Sequence, residues 1–318
     1  MNKRFLFTLL LAMPFYLTCI SQHLQPREGY VQVNGGKIWY KIVGKGKGIP
    51  LLLLHGGPGS RSCEGIPGYS LLSDERPVIF YDQLGSGKSD RPTDTTLWRL
   101  SRFVDEIDLL RAALGLKELH ILGSSWGGAL LMEYMITKKP KGVKSLIFAG
   151  PLLSTPIWME DARILLSQMP KNLQDTIHKY EKLQQYHAPA YLAATDSFYA
   201  RFMSVKQWPQ VYPADCDGVL GENEQIYNYM WGPTEFTATG TLKDFDRTDR
   251  LHELKEPIVF IAGRYDETRL ETIYGFQKLV PKSTVVVIEQ AGHLKIIDQP
   301  VQFTTAIRNF LHMVEPGK

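Results

Sequence analysis

Polar and apolar positions alternate over residues 30–33 and again over 37–42, with Asn34-Gly35-Gly36 between them. Alternation of period two marks a strand covered on one face, and Asn-Gly between two such stretches is a strong hairpin signal. An antiparallel edge is therefore predicted where the domain starts. The rhythm then changes to short, mainly apolar runs at 51–54, 78–81, 119–122 and 143–148, bounded by glycine or proline. Such runs fit strands buried on both faces, as in parallel sheets. Leu97, Leu100, Val104, Ile107, Leu110 and Leu114 fall at spacings of three and four, which sets one apolar stripe of a helix against a sheet. Strand and helix alternate, so the predicted class is α/β, with a mostly parallel central sheet flanked by helices.

The alternation stops at Pro151. It resumes with an apolar run at 258–262, a helical pattern over 270–280, a strand at 284–288 and a final helix over 301–313. The stretch between is rich in helix formers and aromatics, among them Trp158, Tyr180, Tyr186, Tyr191, Phe198, Tyr199, Trp208, Tyr227, Tyr229 and Trp231. It reads as an inserted helical cap, most of whose aromatics build the cap's own core while a few line a pocket. The predicted organisation is a core made of residues 22–151 and 252–318, with the cap at 152–251. Residues 1–21 differ in kind. Lys3 and Arg4 precede an apolar run over 5–20, which is short for a membrane span and contains Pro14. This is the pattern of a signal peptide and predicts export, to a periplasm or beyond the cell, without a stable membrane span. Cys19 in Leu17-Thr18-Cys19 leaves a lipid anchor as the alternative.

Composition narrows the function classes. With 318 residues, 44% hydrophobic and 22% charged, the chain has ordinary globular usage and length enough for one large domain carrying an insertion. A net charge of +3 from 36 basic and 33 acidic residues leaves no field of a single sign, so nucleic acid is not an expected partner. Past the leader only Cys63 and Cys216 remain, which allows at most one disulfide. Their spacing matches no zinc pattern, and His252-Glu253-Leu254-Lys255-Glu256 lacks the second histidine of a zinc-binding helix. Neither a metal nor a cofactor is expected.

The chemistry begins where the strand at 119–122 runs into Gly123-Ser124-Ser125-Trp126-Gly127-Gly128 and then into a helical pattern. Gly-x-Ser-x-Gly between a strand and a helix is the pattern of the nucleophile elbow, a sharp turn on which small neighbours let backbones approach and the serine stands exposed. Ser125 is the candidate nucleophile. The Trp126 N–H, at the start of the helix, is a candidate oxyanion donor. A second donor is assigned to the N–H of Gly57 in His55-Gly56-Gly57-Pro58-Gly59, directly after the strand at 51–54. Elbow folds place an acid and then a histidine after the serine. Asp266 in Gly263-Arg264-Tyr265-Asp266 and His293 in Ala291-Gly292-His293 each follow a predicted strand, at the end where such sheets bind ligands. They are the candidate acid and base. Gly85-Ser86-Gly87-Lys88-Ser89 ends like a phosphate-binding loop, but Asp82 stands where that loop requires glycine. A structural turn near the site is predicted there instead.

Taken together, His55 to Gly59, Asp82 to Ser89, Gly123 to Gly128, Gly232-Pro233-Thr234-Glu235-Phe236 and Gly263 to Glu267 resemble the proline iminopeptidase family of α/β-hydrolases. The resemblance spans almost the whole mature chain. It implies an α/β-hydrolase fold and a serine exopeptidase that releases an N-terminal residue, preferably proline, from small peptides with a free N-terminus. It also implies that Glu235 and Glu267 bind the substrate's amino group. Carboxylates suit that task, because an ammonium taken into a partly dry pocket needs compensating charge. Leu84 departs from the family pattern, where arginine or an aromatic is common. Fold and triad leave an esterase or lactonase open as the alternative enzyme. A catalytically inactive binding module is the alternative of another class, and the intact serine, acid and histidine speak against it. The sequence leaves the oligomeric state open.

Overall fold

The computed structural model describes residues 24–206 and 211–315. The predicted signal peptide with Cys19, and Trp208, lie outside the described residues. The alternating stretches form β1 (Arg27–Val33) and β2 (Gly36–Val43), paired antiparallel in the register Tyr30↔Trp39. Gly35 turns between them at φ +98°, a conformation that disfavours side chains larger than glycine. The apolar runs form β3 (Leu51–Leu54), β4 (Val78–Tyr81), β5 (Leu119–Ser124), β6 (Val143–Ala149), β7 (Ile258–Gly263) and β8 (Thr284–Ile288). These make one 8-stranded sheet in the order β1-β2-β4-β3-β5-β6-β7-β8. β2 joins β4 antiparallel, and every pair from β4 to β8 is parallel.

Helices cover both faces, which is why the parallel strands read as mainly apolar runs. They are α1 (Ile66–Tyr69), α2 (Leu100–Leu114), α3 (Trp126–Lys138), α4 (Thr155–Ser167), α5 (Lys171–Lys182), α6 (Pro189–Phe202), α7 (Glu224–Met230), α8 (Leu270–Leu279), α9 (Lys295–Asp298) and α10 (Pro300–Val314). Leu52 and Leu54 of β3 face a cluster that includes Phe103 and Ile107 of α2, Leu130 of α3 and Ile273 of α8. Leu51 and Leu53 face the opposite cluster, with Tyr69 of α1 and Phe303 and Ile307 of α10. The stripe that starts at Leu97 is split by the structure. Asp94 accepts a hydrogen bond from the Thr96 N–H at 2.9 Å and caps a separate 3-10 turn, Thr95–Leu97, before α2 begins at Leu100. Leu97 still packs on the same core.

Between β6 and β7 the chain leaves the sheet for α4 to α7. Ser154 caps α4 by accepting from the Ile157 N–H, and Pro156 sits in its first turn, where a missing N–H costs nothing. This segment has an apolar cluster of its own, with Leu165, Leu166, Ile177, Tyr191, Phe198 and Phe236. A bridge between Ser154 and Asp246 brings its two ends together above the sheet. One covalent tie joins it to the sheet domain: Cys63 and Cys216 form a disulfide, with their Cα atoms 5.2 Å apart. Beside it the Arg61 guanidinium donates to the Val219 carbonyl at 3.1 Å, and Lys41 pairs with Asp215 at 3.3 Å.

The early residues of β5 and β6 carry a sealed polar chain. Ser145 Oγ lies 2.7 Å from His120 Nδ1, and His120 Nε2 lies 2.5 Å from Glu315 Oε1. Arg76 also donates to Glu315, at 2.8 Å. Burial raises the Glu315 carboxyl's pKa, but His120 and Arg76 outweigh burial and bring it down to about 2. Serine, histidine and carboxylate thus meet here as well, yet His120 and Ser145 are 0% exposed, so no substrate reaches them. The chain anchors the end of α10 to the sheet.

Candidate active site

Ser125 connects β5 to α3 and holds φ 54°, ψ −122°, a conformation few non-glycine residues adopt. The crowding around it explains how this is sustained. A Cβ on Gly123 would lie 2.3 Å from the Gly127 carbonyl oxygen, and one on Gly127 would lie 2.1 Å from the Leu54 oxygen. Only glycine allows β3, β5 and α3 to converge so closely. The Ser125 N–H donates to the Ala149 oxygen at 3.2 Å and its carbonyl accepts from Leu152 at 3.0 Å, fixing the turn to the end of β6.

Asp266 and His293 follow β7 and β8, and the structure brings them together: Nδ1 of His293 lies 2.6 Å from Asp266 Oδ1. An ionised carboxylate accepts only, so Nδ1 carries the proton and Nε2 is the basic nitrogen. Asp266 is further held by the N–H groups of Gly263 at 3.0 Å and Thr268 at 3.1 Å, and by the Lys295 ammonium at 2.7 Å. Burial alone would raise its pKa, but Lys295 and His293 outweigh burial and keep it well below the usual carboxylate range. The His293 loop is fixed from the inserted segment, since the N–H groups of His293 and Leu294 donate to Phe202 and Met203 at 2.7 Å each. Trp158 of α4 stands edge-on to the imidazole at 5.5 Å. Ser125 and His293 form no hydrogen bond among the described residues; catalytic hydrogen bonds often tighten only once substrate is bound.

The loop after β3 reaches the serine. A Cβ on Gly56 would sit 3.3 Å from Ser125 Cβ and 3.8 Å from Oγ. Gly57 adopts φ +112°. Neither its N–H nor that of Trp126 is taken up by a hydrogen bond among the described residues. Donors from this loop and from the helix start at the serine would suit a developing oxyanion.

The two glutamates come from different elements and lie close enough for the charge of Glu235 to bear on Glu267. Glu235, in the inserted segment after α7, accepts from the Tyr227 hydroxyl. Burial pushes its carboxyl pKa up against that hydrogen bond and the charge of His293. Glu267, beside Asp266, is 4% exposed, and its Oε1 is buried with no hydrogen-bond partner. Burial, then the charges of Glu235 and Asp266, push its pKa well above the ordinary value, with only Lys295 opposing. Asp82, by contrast, accepts from the Ser62 N–H at 2.8 Å, the Ser62 hydroxyl at 2.7 Å and the Lys88 N–H at 2.8 Å. Its segment is a turn closed on its own carboxylate.

A sequence model described as the alpha/beta hydrolase fold matches residues 49–300. The chain is 43% identical over 289 residues to the proline iminopeptidase of Heyndrickxia coagulans, covering 90% of this chain and 99% of that one. It is 35% identical over 286 residues to the proline iminopeptidase of Lactiplantibacillus plantarum, covering 87% and 98%. The chain belongs to the proline iminopeptidase family of α/β-hydrolases. The crystal structure of the proline iminopeptidase from Mycobacterium smegmatis superposes with a TM-score of 0.81 at 30% identity, covering 91% of this chain and 98% of that one.

Several residues of this proline iminopeptidase-family site escaped sequence reasoning. Gln83 accepts from Trp126 Nε1 at 2.8 Å and donates to the His55 carbonyl at 3.1 Å, clamping the loop after β3 to the elbow. The Gln83 N–H donates to His55 Nε2 at 3.0 Å, so the His55 proton is on Nδ1, donating to the Gly56 carbonyl at 2.8 Å. Burial lowers the pKa of His55, which favours this neutral form. Asp298 accepts from the Gly292 N–H at 2.8 Å and the Ser204 hydroxyl at 2.6 Å, tying the His293 loop to the inserted segment. The repeated strand-end placement of polar residues was the available signal for Gln83; Lys295 and Asp298 sit in an apolar helical pattern and gave none.

Proposed function

We propose that this chain is a serine aminopeptidase that removes an N-terminal proline, or another small residue, from peptides. His293, oriented by Asp266, takes the Ser125 proton, and Ser125 Oγ attacks the carbonyl of the first residue. The N–H groups of Gly57 and Trp126 hold the oxyanion; the amine of the remaining peptide leaves with the proton from His293. Water, activated by the same imidazole, then frees the acyl group. The helices α4 to α7 act as a cap, and Glu235 and Glu267 receive the substrate's ammonium.

The observation that carries this reading is the pair Glu235 and Glu267, close enough for the charge of one to bear on the other, with Glu267 Oε1 buried and without a hydrogen-bond partner among the described residues. An ester or lactone offers that pair no cation. The test compares hydrolysis of a prolyl arylamide with that of its N-blocked form. The free amine is expected to be cut at least about 100-fold faster, the worth of a lost buried charge contact. Preference for the blocked compound would sink the proposal.

We further propose that the enzyme works outside the cytoplasm. The leader and the Cys63–Cys216 disulfide support this, since disulfides persist in oxidising compartments. Alkylation of protein recovered from the periplasm or medium, with and without reductant, is expected to label both cysteines only after reduction. Free thiols in that fraction, or recovery only from the cytoplasm, would refute it.

A further inference from the structure

Lys295 is a buried cation. It is 2% exposed, and its ammonium lies 2.7 Å from Asp266 Oδ2 and 2.8 Å from the His293 carbonyl oxygen. Room for it comes from Gly150 at the end of β6, where a Cβ would stand 2.9 Å from Lys295 Nζ and 3.0 Å from Asp266 Oδ2. A lysine this deep is costly to desolvate unless it has a specific anionic partner. Here it has one, and that partner orients the histidine.

The surroundings say why a cation is needed. Around Asp266 and His293 stand Glu267 from the loop after β7, Glu235 from the cap and the uncharged Trp158 from α4. Among the described residues the charged groups here are thus carboxyls, apart from His293 itself and Lys295, and the titratable hydroxyls of Tyr199 from α6 and Tyr227 from α7 stand by Glu235. When a substrate ammonium draws Glu235 and Glu267 into their ionised forms, their charges bear on Asp266 as well. A carboxyl among carboxylates tends to take a proton, and a protonated Asp266 no longer holds His293 with Nε2 basic.

We propose that Lys295 is a positioning residue that keeps Asp266 ionised, with Oδ1 directed at His293, inside a site that must also hold two carboxylates for the substrate amine. It touches neither substrate nor Ser125 and acts through Asp266. The inference rests on Ser125, Asp266 and His293 working as nucleophile, acid and base.

The test follows the pH dependence of Ser125 labelling by a fluorophosphonate, which needs no particular peptide substrate. Lys295→Met removes the charge at similar length, and Lys295→Arg keeps the charge. A carboxyl that loses its cation protonates at higher pH, so the acid limb of the labelling rate is expected to rise by about one pH unit or more in Lys295→Met. Lys295→Arg should keep the limb near its wild-type position. A folded Lys295→Met with an unmoved limb would overturn the proposal even if its rate were lower, because a packing defect lowers the rate without moving the limb. An equal shift in both variants would overturn it too. Should the methionine variant not fold, carbon-13 NMR of aspartate carboxyls in the wild type, with the Asp266 resonance assigned from Asp266→Asn, decides the matter. Asp266 is expected to remain ionised below the ordinary value of about 3.9, and titration at or above that value refutes the role of Lys295. Failure of the wild type to label at any pH would instead refute the serine mechanism, which separates the two failures.

Discussion

Ser125→Ala is expected to lower kcat for a prolyl arylamide by about a million-fold, with the fold intact and KM little changed. The size follows from what the serine supplies. Covalent attack splits amide hydrolysis into two easier steps, and alanine offers the imidazole no hydroxyl to activate. The alanine variant retains the Asp266–His293 pair and the Gly57 and Trp126 N–H groups, which leaves only the modest acceleration that oxyanion donors and binding give over water. Alanine also loses no buried contact of consequence, since the elbow is fixed by backbone hydrogen bonds to Ala149 and Leu152. Stopped assays on variant protein purified apart from any wild-type enzyme, with circular dichroism as the folding control, measure this. A loss smaller than about tenfold would place the chemistry elsewhere.

Glu235→Gln should lower kcat/KM for the free-amine substrate by about 100-fold, mostly through KM, while leaving fluorophosphonate labelling of Ser125 close to wild type. The substitution keeps a partner for the Tyr227 hydroxyl and removes one of the two charges that meet the ammonium. The sign of the pH effect follows from the raised carboxyl pKa values. Below them the pair is protonated and repays an incoming ammonium poorly, so the wild-type KM is expected to fall as pH rises above the ordinary glutamate value of about 4.3. That fall should flatten in the variant. Initial rates across pH on both proteins give the answer, and an unchanged KM would remove Glu235 from the amine subsite.

Sequence made the sheet legible because its signals are local. Residues 51–54 or 258–262 are apolar whatever surrounds them, and Asn34-Gly35 dictates its turn from within. The elbow was legible for the same reason, since Gly123 and Gly127 mark a turn where a Cβ has no room. Asp266 and His293 could be singled out because each closely follows a strand, and in the structure they lie 2.6 Å apart beyond β7 and β8. What stayed hidden depends on neighbours that meet only in space. Lys295 looks like a helix surface residue until α9 is packed under Asp266, and Gln83 gains meaning only when Trp126 arrives at the start of α3. Ser145, His120 and Glu315 teach the converse: matching residue types in contact carry no chemistry where nothing can enter. The break after Leu97 was invisible because periodicity records which side faces the core and not where a turn is capped by Asp94.

The Cys63–Cys216 bond spans 153 positions and encloses the elbow and most of the cap helices, while Asp266 and His293 lie outside that ring. A protease that cuts one exposed loop within the ring, such as the stretch between α5 and α6, therefore leaves a single covalent molecule. The two pieces part on a gel only after reduction. Nicked enzyme in a protease-rich surrounding keeps its cap tethered to the serine's side of the molecule, so a clipped chain has a route to remaining a working one.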